Sequence, residues 1–324
     1  MKLSLLDRSR TRAGRPEAEG LTGSIERAVH AEALGYERFW VAEHHGVPGI
    51  ASGSPAVLLA AIGAHTQRIR LGSGGVMLPN HQPIVVAEQF LMLEALHPGR
   101  VDLGIGRSLG FTRAVRTALR HDRDALDTFE AELDELRQLI AGEAQVTPHP
   151  VASGPIPISL LATGHGLEIA ARLGLPVVVG GPVLWTDAGR DAIDAYRRDF
   201  RPSKDAADPY VTISLDVTVA DDDASARELA LPEAWAMARS RQIGEFPPLE
   251  DVRSIREQPW TSQTRQRVEK SLDQAVAGSP QTVRRMLDEL AERTGADELM
   301  ASTSTYDREA LFASDRMLLE LARE

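Results

Sequence analysis

A few short stretches of this chain carry residue types that can do chemistry. Glu43-His44-His45 sets two imidazoles beside a carboxylate, and Gly72-Ser73-Gly74-Gly75 is a glycine-rich run. Gly104-Ile105-Gly106-Arg107 ends in a guanidinium, and Ala162-Thr163-Gly164-His165-Gly166 combines a hydroxyl with a glycine turn. A neutral imidazole can donate or accept a proton near pH 7. Adjacent strand residues point to opposite faces, so Glu43, His44 and His45 cannot all meet one ligand. One histidine in a pocket fits the pattern, and so does a pair that caps and packs. The spacing is not HExxH and no second cluster has metal-ligand spacing, so no metal is expected. In GIGRSLG the third glycine is Gly110, one place late for a dinucleotide loop, and the motif does not open a domain as that loop does. Arg107 suits a phosphate or carboxylate bound bidentately, or a plain surface ion pair. The turn at Thr163 and Gly164 precedes a helix start, where free N–H groups attract anions; Thr163 could equally cap its own helix.

These motifs fall at regular positions in an alternation of short apolar runs and helical periods. Leu3–Leu6 reads as a strand, Ile25–Leu34 as a helix ending at Gly35, and Arg38–Ala42 as the second strand. Pro55–His65 and Ile84–Leu96 are helices around the strand Ile69–Gly72, and Val101–Ile105 follows. Asp127–Ile140 is amphipathic, with Phe129, Leu133, Leu136 and Leu139–Ile140 on one stripe. The beat continues through Ile156–Leu161, Leu167–Leu173, Val177–Val179, Ala188–Phe200 and Val211–Val219, then Gln281–Arg293, Glu298–Met300 and a helix from Arg308. About eight strands separated by helices predict an α/β chain closed into a (β/α)8 TIM barrel, with a doubly wound open sheet as the competing architecture. Such barrels run to about 250 residues. The remainder is expected as an insertion at about 221–278, before the seventh helix, within a single barrel domain spanning 1–324. In such a barrel the chemistry lies at the C-terminal ends of strands, where all four motifs sit.

Composition narrows the partners. The 324 residues carry a net charge of −11, a field that repels a phosphate backbone or an anionic membrane. No nucleic acid or membrane partner is expected. The absence of cysteine removes disulfides and thiolate chemistry. No apolar stretch approaches the roughly 18 residues of a membrane span, and MKLSLLDRSR is too short for a signal core, so a cytoplasmic location is expected.

At these same residues the chain resembles the bacterial luciferase-like flavin monooxygenases. The resemblance is carried by FWVAEHHGVPGIASGSPAVLLAA (39–61), RIRLGSGGVMLPNHQPIVVAEQFLMLEALHPGRVDLGIGR (68–107), GLPVVVG (174–180) and SPQTVRRMLDELAERTGADELM (279–300). It implies a luciferase-like barrel that binds reduced FMN, delivered as FMNH2 by a separate flavin reductase. In that family dioxygen adds at the flavin C4a carbon, and the (hydro)peroxide oxygenates a small organic substrate such as a secondary metabolite. By motif, His44 is the expected catalytic residue. Glu43, Gly74, Gly75, Arg107, Thr163, Gly164 and His165 are the expected cofactor-binding residues. Gly74 and Gly75 match a position where relatives carry a non-proline cis peptide. Met77, Phe111 and Trp185 would shape the substrate space, and helices near the second and third strands would serve a homodimer.

The chain also departs from the family pattern. A turn that commonly reads G-S-S-G-aromatic-S is here Leu161-Ala162-Thr163-Gly164-His165-Gly166, and Ser9-Arg10-Thr11 replaces an S-P-V turn. Gly106 stands where light-emitting members have cysteine, and Ser302–Arg308 lacks the histidines of T-H-x-x-D-H. Two alternatives therefore accompany the monooxygenase reading: a hydride-transferring FMN or deazaflavin oxidoreductase, and a non-catalytic flavin- or ligand-binding barrel.

Overall fold

A computed structural model describes residues 1–109, 112–120 and 128–323; Gly110, Phe111 and Asp127, named above, lie outside the described residues. The strands are β1 (Lys2–Asp7), β2 (Arg38–Val41), β3 (Arg70–Ser73), β4 (Val76–Met77), β5 (Val101–Gly106) and β6 (Ile158–Leu161). They continue with β7 (Val177–Gly180), β8 (Val211–Leu215), β9 (Val217–Val219), β10 (Val276–Gly278) and β11 (Glu298–Ala301). Every pairing is parallel, in the order β3-β2-β1-β11-β8-β7-β6-β5, and β3 pairs back onto β5 through Leu71–Val101 and Gly72–Asp102. That return closes an eight-stranded (β/α)8 barrel and excludes the open sheet. No described helix is long and apolar enough to cross a membrane.

Two elements differ from the pattern-based reading. The first helix runs Ala18–Leu34, starting well before Ile25. Its opening turns contain Gly20 and Gly23, which weaken the helical signal but are needed for close approach. A Cβ on Gly20 would lie 2.9 Å from the Ser9 carbonyl, and one on Gly23 would strike the Arg308 guanidinium. Gly35 ends the helix at φ 103°, donating its N–H to Ala31 O. The apolar run 211–219, read as one strand, divides at Asp216. Its carboxylate accepts from Arg8 and from Ser302 Oγ, while Val217 N–H bonds the Thr303 hydroxyl oxygen. β8 thus stays in the barrel, and β9 leaves it to pair with β10.

Between β9 and β10 lie the helices Asp223–Ile243, Val252–Glu257 and Ser262–Gln274. They bury a small core of their own, in which Trp235 packs with Leu231, Ile255, Val268 and Leu272. Trp260 stacks against Trp235 with ring centroids 5.1 Å apart. The helix Pro280–Thr294 then returns the chain to β11.

The barrel interior is filled in layers. Toward the N-terminal end of the strands, Arg38 bridges Asp102 at 2.9 Å and Glu298 at 2.8 Å, and Tyr210 donates to Glu298 at 2.8 Å. Above it Trp40 packs with Leu6, Leu161, Val178 and Met300. Gly72 and Gly104 flank the indole, and a Cβ on either would collide with it. Gly72→Ala is therefore expected to lower unfolding free energy by about 1–3 kcal/mol in urea denaturation, the usual cost of overpacking. Gly106→Ala should stay within about 0.5 kcal/mol of the parent, because its Cβ would meet nothing nearer than Val76 O at 3.8 Å.

Candidate functional site

The C-terminal ends of the strands open on a cavity of about 240 Å3 lined by Leu6, Gly74, Leu161, Thr163, Gly180 and Ser214. Its floor is the Trp40 layer. Gly74 and Gly75, joined by a cis peptide bond, break the strand between β3 and β4. Both are glycine for steric reasons: a Cβ on Gly74 would run into Leu6, and one on Gly75 would lie 2.9 Å from Gly104 O. Backbone replaces side chain along this wall, so a flat group can approach closely.

Glu43 follows β2 by two residues. Its buried carboxylate accepts from His45 Nε2 at 2.6 Å, His81 Nε2 at 2.7 Å and Met77 N–H at 3.1 Å. Burial opposes the charge, but the hydrogen bonds from His45 and His81 outweigh it and hold the carboxyl down to about 2. Among the described residues, Glu43, His45 and His81 are the group whose carboxylate and imidazole atoms gather within 4.8 Å, a donor set able to take a divalent cation. With no ion, the hydrogen bonds among them engage the carboxylate. Glu43 thus faces inward to position the loop and Met77.

His44 lies on the other side of that backbone, half-buried, with its N–H on Ser52 O at 2.9 Å. Around it runs an ionic cluster. Glu233, from the helix Asp223–Ile243, is buried between Arg10 Nε at 3.0 Å and Arg8 at 3.3 Å. Arg8 also donates to Asp216 at 2.7 Å and to Ser302 O at 2.6 Å, and Arg10 donates to Gly49 O at 2.9 Å. Burial would raise the Glu233 carboxyl, but Arg10 and Arg8 bring it below the ordinary carboxylate value. The same two cations, added to burial, push His44 down to about 4. His44 is a neutral imidazole at neutral pH.

The expected anion-binding residues lie along the β5–β6 edge. The β5–β6 register runs to Ile105 with Leu160, and Arg107 follows the end of β5 by one residue and Thr163 the end of β6 by two. The Arg107 guanidinium is exposed, 5.9 Å over the Phe129 ring. Thr163 does not cap its helix. The N-cap is Gly164, at φ 52°, and no side chain fills its role. His165 turns instead onto Glu168, at 2.8 Å, and with Gly164 lines an outer cavity of about 290 Å3 beside Tyr196. The structure thus unites Gly74 and Thr163 in the mouth and leaves the His165 ring outside, while Arg107 stands exposed just past β5, outside the residues that line it. Trp185 lines an adjoining cavity, and Met77 is buried.

A family profile described as luciferase-like monooxygenase matches residues 1–298. The chain belongs to the luciferase-like monooxygenase family. As a member it is an oxidoreductase. A luciferase-like monooxygenase of Escherichia coli strain K12 is 34% identical over 99% of this chain and 97% of its own length. The crystal structure of apo-MsnO8 superimposes with a TM-score of 0.89 at 35% identity, covering 99% of this chain and 97% of that one. An N-acetyl-S-alkylcysteine monooxygenase of Bacillus subtilis is 37% identical over 60% of this chain and 63% of its own length.

In this luciferase-like barrel, sequence reasoning passed over His81, Arg8 and Glu233, and met Arg10 only as a charge added where relatives have an S-P-V turn. Each had a faint signal. Arg8 and Arg10 follow β1 at strand spacing, and Glu233 interrupts the apolar run LALPEAWAMA. The depressed His44 has a thermodynamic consequence. A histidine whose protonation the fold disfavours contributes stability in full above about 6.5, its unfolded value, and loses it as pH falls toward 4. Between pH 7 and pH 5 the wild type should lose about 2 kcal/mol relative to His44→Asn, measured by urea unfolding at each pH. Parallel pH profiles for the two proteins would mean that His44 protonates freely in the fold.

Proposed function

We propose that this luciferase-like oxidoreductase is an FMN-dependent monooxygenase, using FMN reduced by a separate flavin reductase together with O2 to oxygenate a small organic substrate. The observation that supports the proposal is a glycine-walled apolar mouth lined by Thr163, with Arg107 at the neighbouring strand end. Gly106 sharpens the fit. Its missing side chain is demanded neither by φ nor by packing, since a Cβ there would meet only Val76 O at 3.8 Å. That open space at the end of β5 suits a flat ligand.

In this reading Arg107, the Thr163 hydroxyl and the N–H groups of the Gly164 turn hold the phosphate, and Gly74, Gly75, Gly106 and Gly180 let the ring system lie against backbone. Bound FMN in its reduced form supplies the electrons that activate dioxygen. Leu6, Leu161 and Met300 keep water from the inner side of the cavity. His44 moves the proton. Its Nδ1 is buried, so exchange falls to Nε2, and the Arg8 and Arg10 cations keep the ring able to accept. Glu43, through Met77 and the two histidines, positions this wall.

The test is a titration with FMN and riboflavin, followed by oxygen uptake with a reductase supplying reduced flavin. Arg107→Ala should raise the FMN Kd at least about tenfold and leave riboflavin unaffected, as loss of a charge-assisted phosphate contact requires. An unchanged FMN Kd overturns the phosphate assignment. Wild-type turnover without oxygen uptake would move the reading to hydride transfer. The same proposal includes a homodimer through the helices Pro55–His65 and Pro83–Leu96, which expose Val57, Val85, Met92 and Leu96. Val57→Glu with Met92→Glu should convert a dimer to a monomer in sedimentation, and an unaltered mass would place the contact elsewhere.

A further inference from the structure

Beside the mouth, between the ends of β7, β8 and β11 and the helices that follow β9, lies a second cavity of about 330 Å3. The two cavities meet along β7 and β8. Ser214 lines both, and Gly180 of the mouth is followed directly by Gly181 of the annex. Trp185 and Met237 give the annex apolar wall, and its rim carries Arg241, Arg267 and Lys270.

The carboxylates near that rim are engaged by other groups. Asp216 also lines the annex, but it is engaged by Arg8 at 2.7 Å and Ser302 Oγ at 2.8 Å. Glu269 and Asp273 share a helix with Arg267 and Lys270, yet both are held by Arg227 on the opposite side. Among the described residues no carboxylate pairs with Arg241, Arg267 or Lys270, and none of the three donates a hydrogen bond to another side chain. Arg267 and Lys270 are also three residues apart on one helix, where like charges repel. Three cations around one cavity make a local positive field that attracts an anion, within a chain whose net charge is −11.

We infer that the annex is an anion subsite, and that the substrate is a small molecule bearing a carboxylate held by Arg267, Lys270 and Arg241 while its reactive end extends past Ser214 into the mouth. The assignment of that end rests on the monooxygenase reading; the binding of the carboxylate does not. The strongly hydrated Lys270 contributes a point charge, and half-buried Arg267 a planar fork matched to a carboxylate. Trp185 and Met237 shelter the apolar part of the molecule.

Phenylacetate and phenylacetamide, nearly equal in shape and different in charge, test this by titration calorimetry on the whole protein. Phenylacetate should bind at least tenfold more tightly than the amide, with the advantage reduced in 0.5 M salt, as expected for screened partly exposed charges at about that ionic strength. Arg267→Gln with Lys270→Gln should abolish the advantage while leaving the FMN Kd unchanged. Both positions are on the surface of a helix, and circular dichroism verifies its fold. Equal binding of the two probes, no saturable binding of phenylacetate, or an advantage that survives the double substitution would overturn the subsite. A weakened FMN Kd with unchanged riboflavin binding would assign the cations to the flavin phosphate and overturn it as well. Wild-type FMN titration reads the flavin proposal separately, so either can fail alone.

Discussion

The carboxylate of Glu233 sits between two arginines where the barrel and its added helices must agree. Arg8 and Arg10 leave β1 on alternate residues, and both turn toward it. Arg8 reaches on to Asp216 and Ser302, tying the ends of β8 and β11, while Arg10 holds the Gly49 carbonyl in the loop after β2. A buried ion pair is weak evidence for stability, since desolvation offsets much of its attraction. Its value here is geometric. Removing any one partner would leave a buried charge unmatched, so the helix Asp223–Ile243 has one favourable seat across the mouth. Burial and these same cations together keep His44 neutral. Seating of the helix and chemistry of the imidazole are therefore a single electrostatic problem.

Below that cluster the barrel is closed in two steps. The ion pairs of Arg38 with Asp102 and Glu298 occupy the strand N-termini, and the Trp40 indole covers them, admitted by Gly72 and Gly104. The usable space is above it, among residues contributed by strand ends. This is why motifs scattered over more than a hundred residues converge there.

The barrel was legible because its signals are local. Each strand is a short apolar run and most helices show a stripe, as Phe129, Leu133, Leu136 and Leu139 do. Where the stripe failed, glycines were serving a distant contact: Gly20 and Gly23 are small because Ser9 and Arg308 pass close by. The site was legible in part, through the glycine runs, the histidine pair and the arginine at strand ends. Which histidine Glu43 takes was hidden, because the answer depends on His81, far along the chain. Burial of Glu233 was hidden too, since its partners stand more than two hundred residues earlier. Periodicity describes neighbours in sequence, whereas charge compensation is settled by neighbours in space.

The ribbon of β9 and β10 pairs Val217 with Val276 and Val219 with Gly278, bringing together the two ends of everything between them. Those helices leave and re-enter the barrel at almost the same point. The intervening segment is in effect a cassette on a short hinge of parallel strands, able to be lengthened, trimmed or exchanged without altering the barrel's register. A lineage carrying such a joint can revise the roof over its mouth while the cylinder beneath stays constant, and Glu233 marks a buried contact that each new roof must replace.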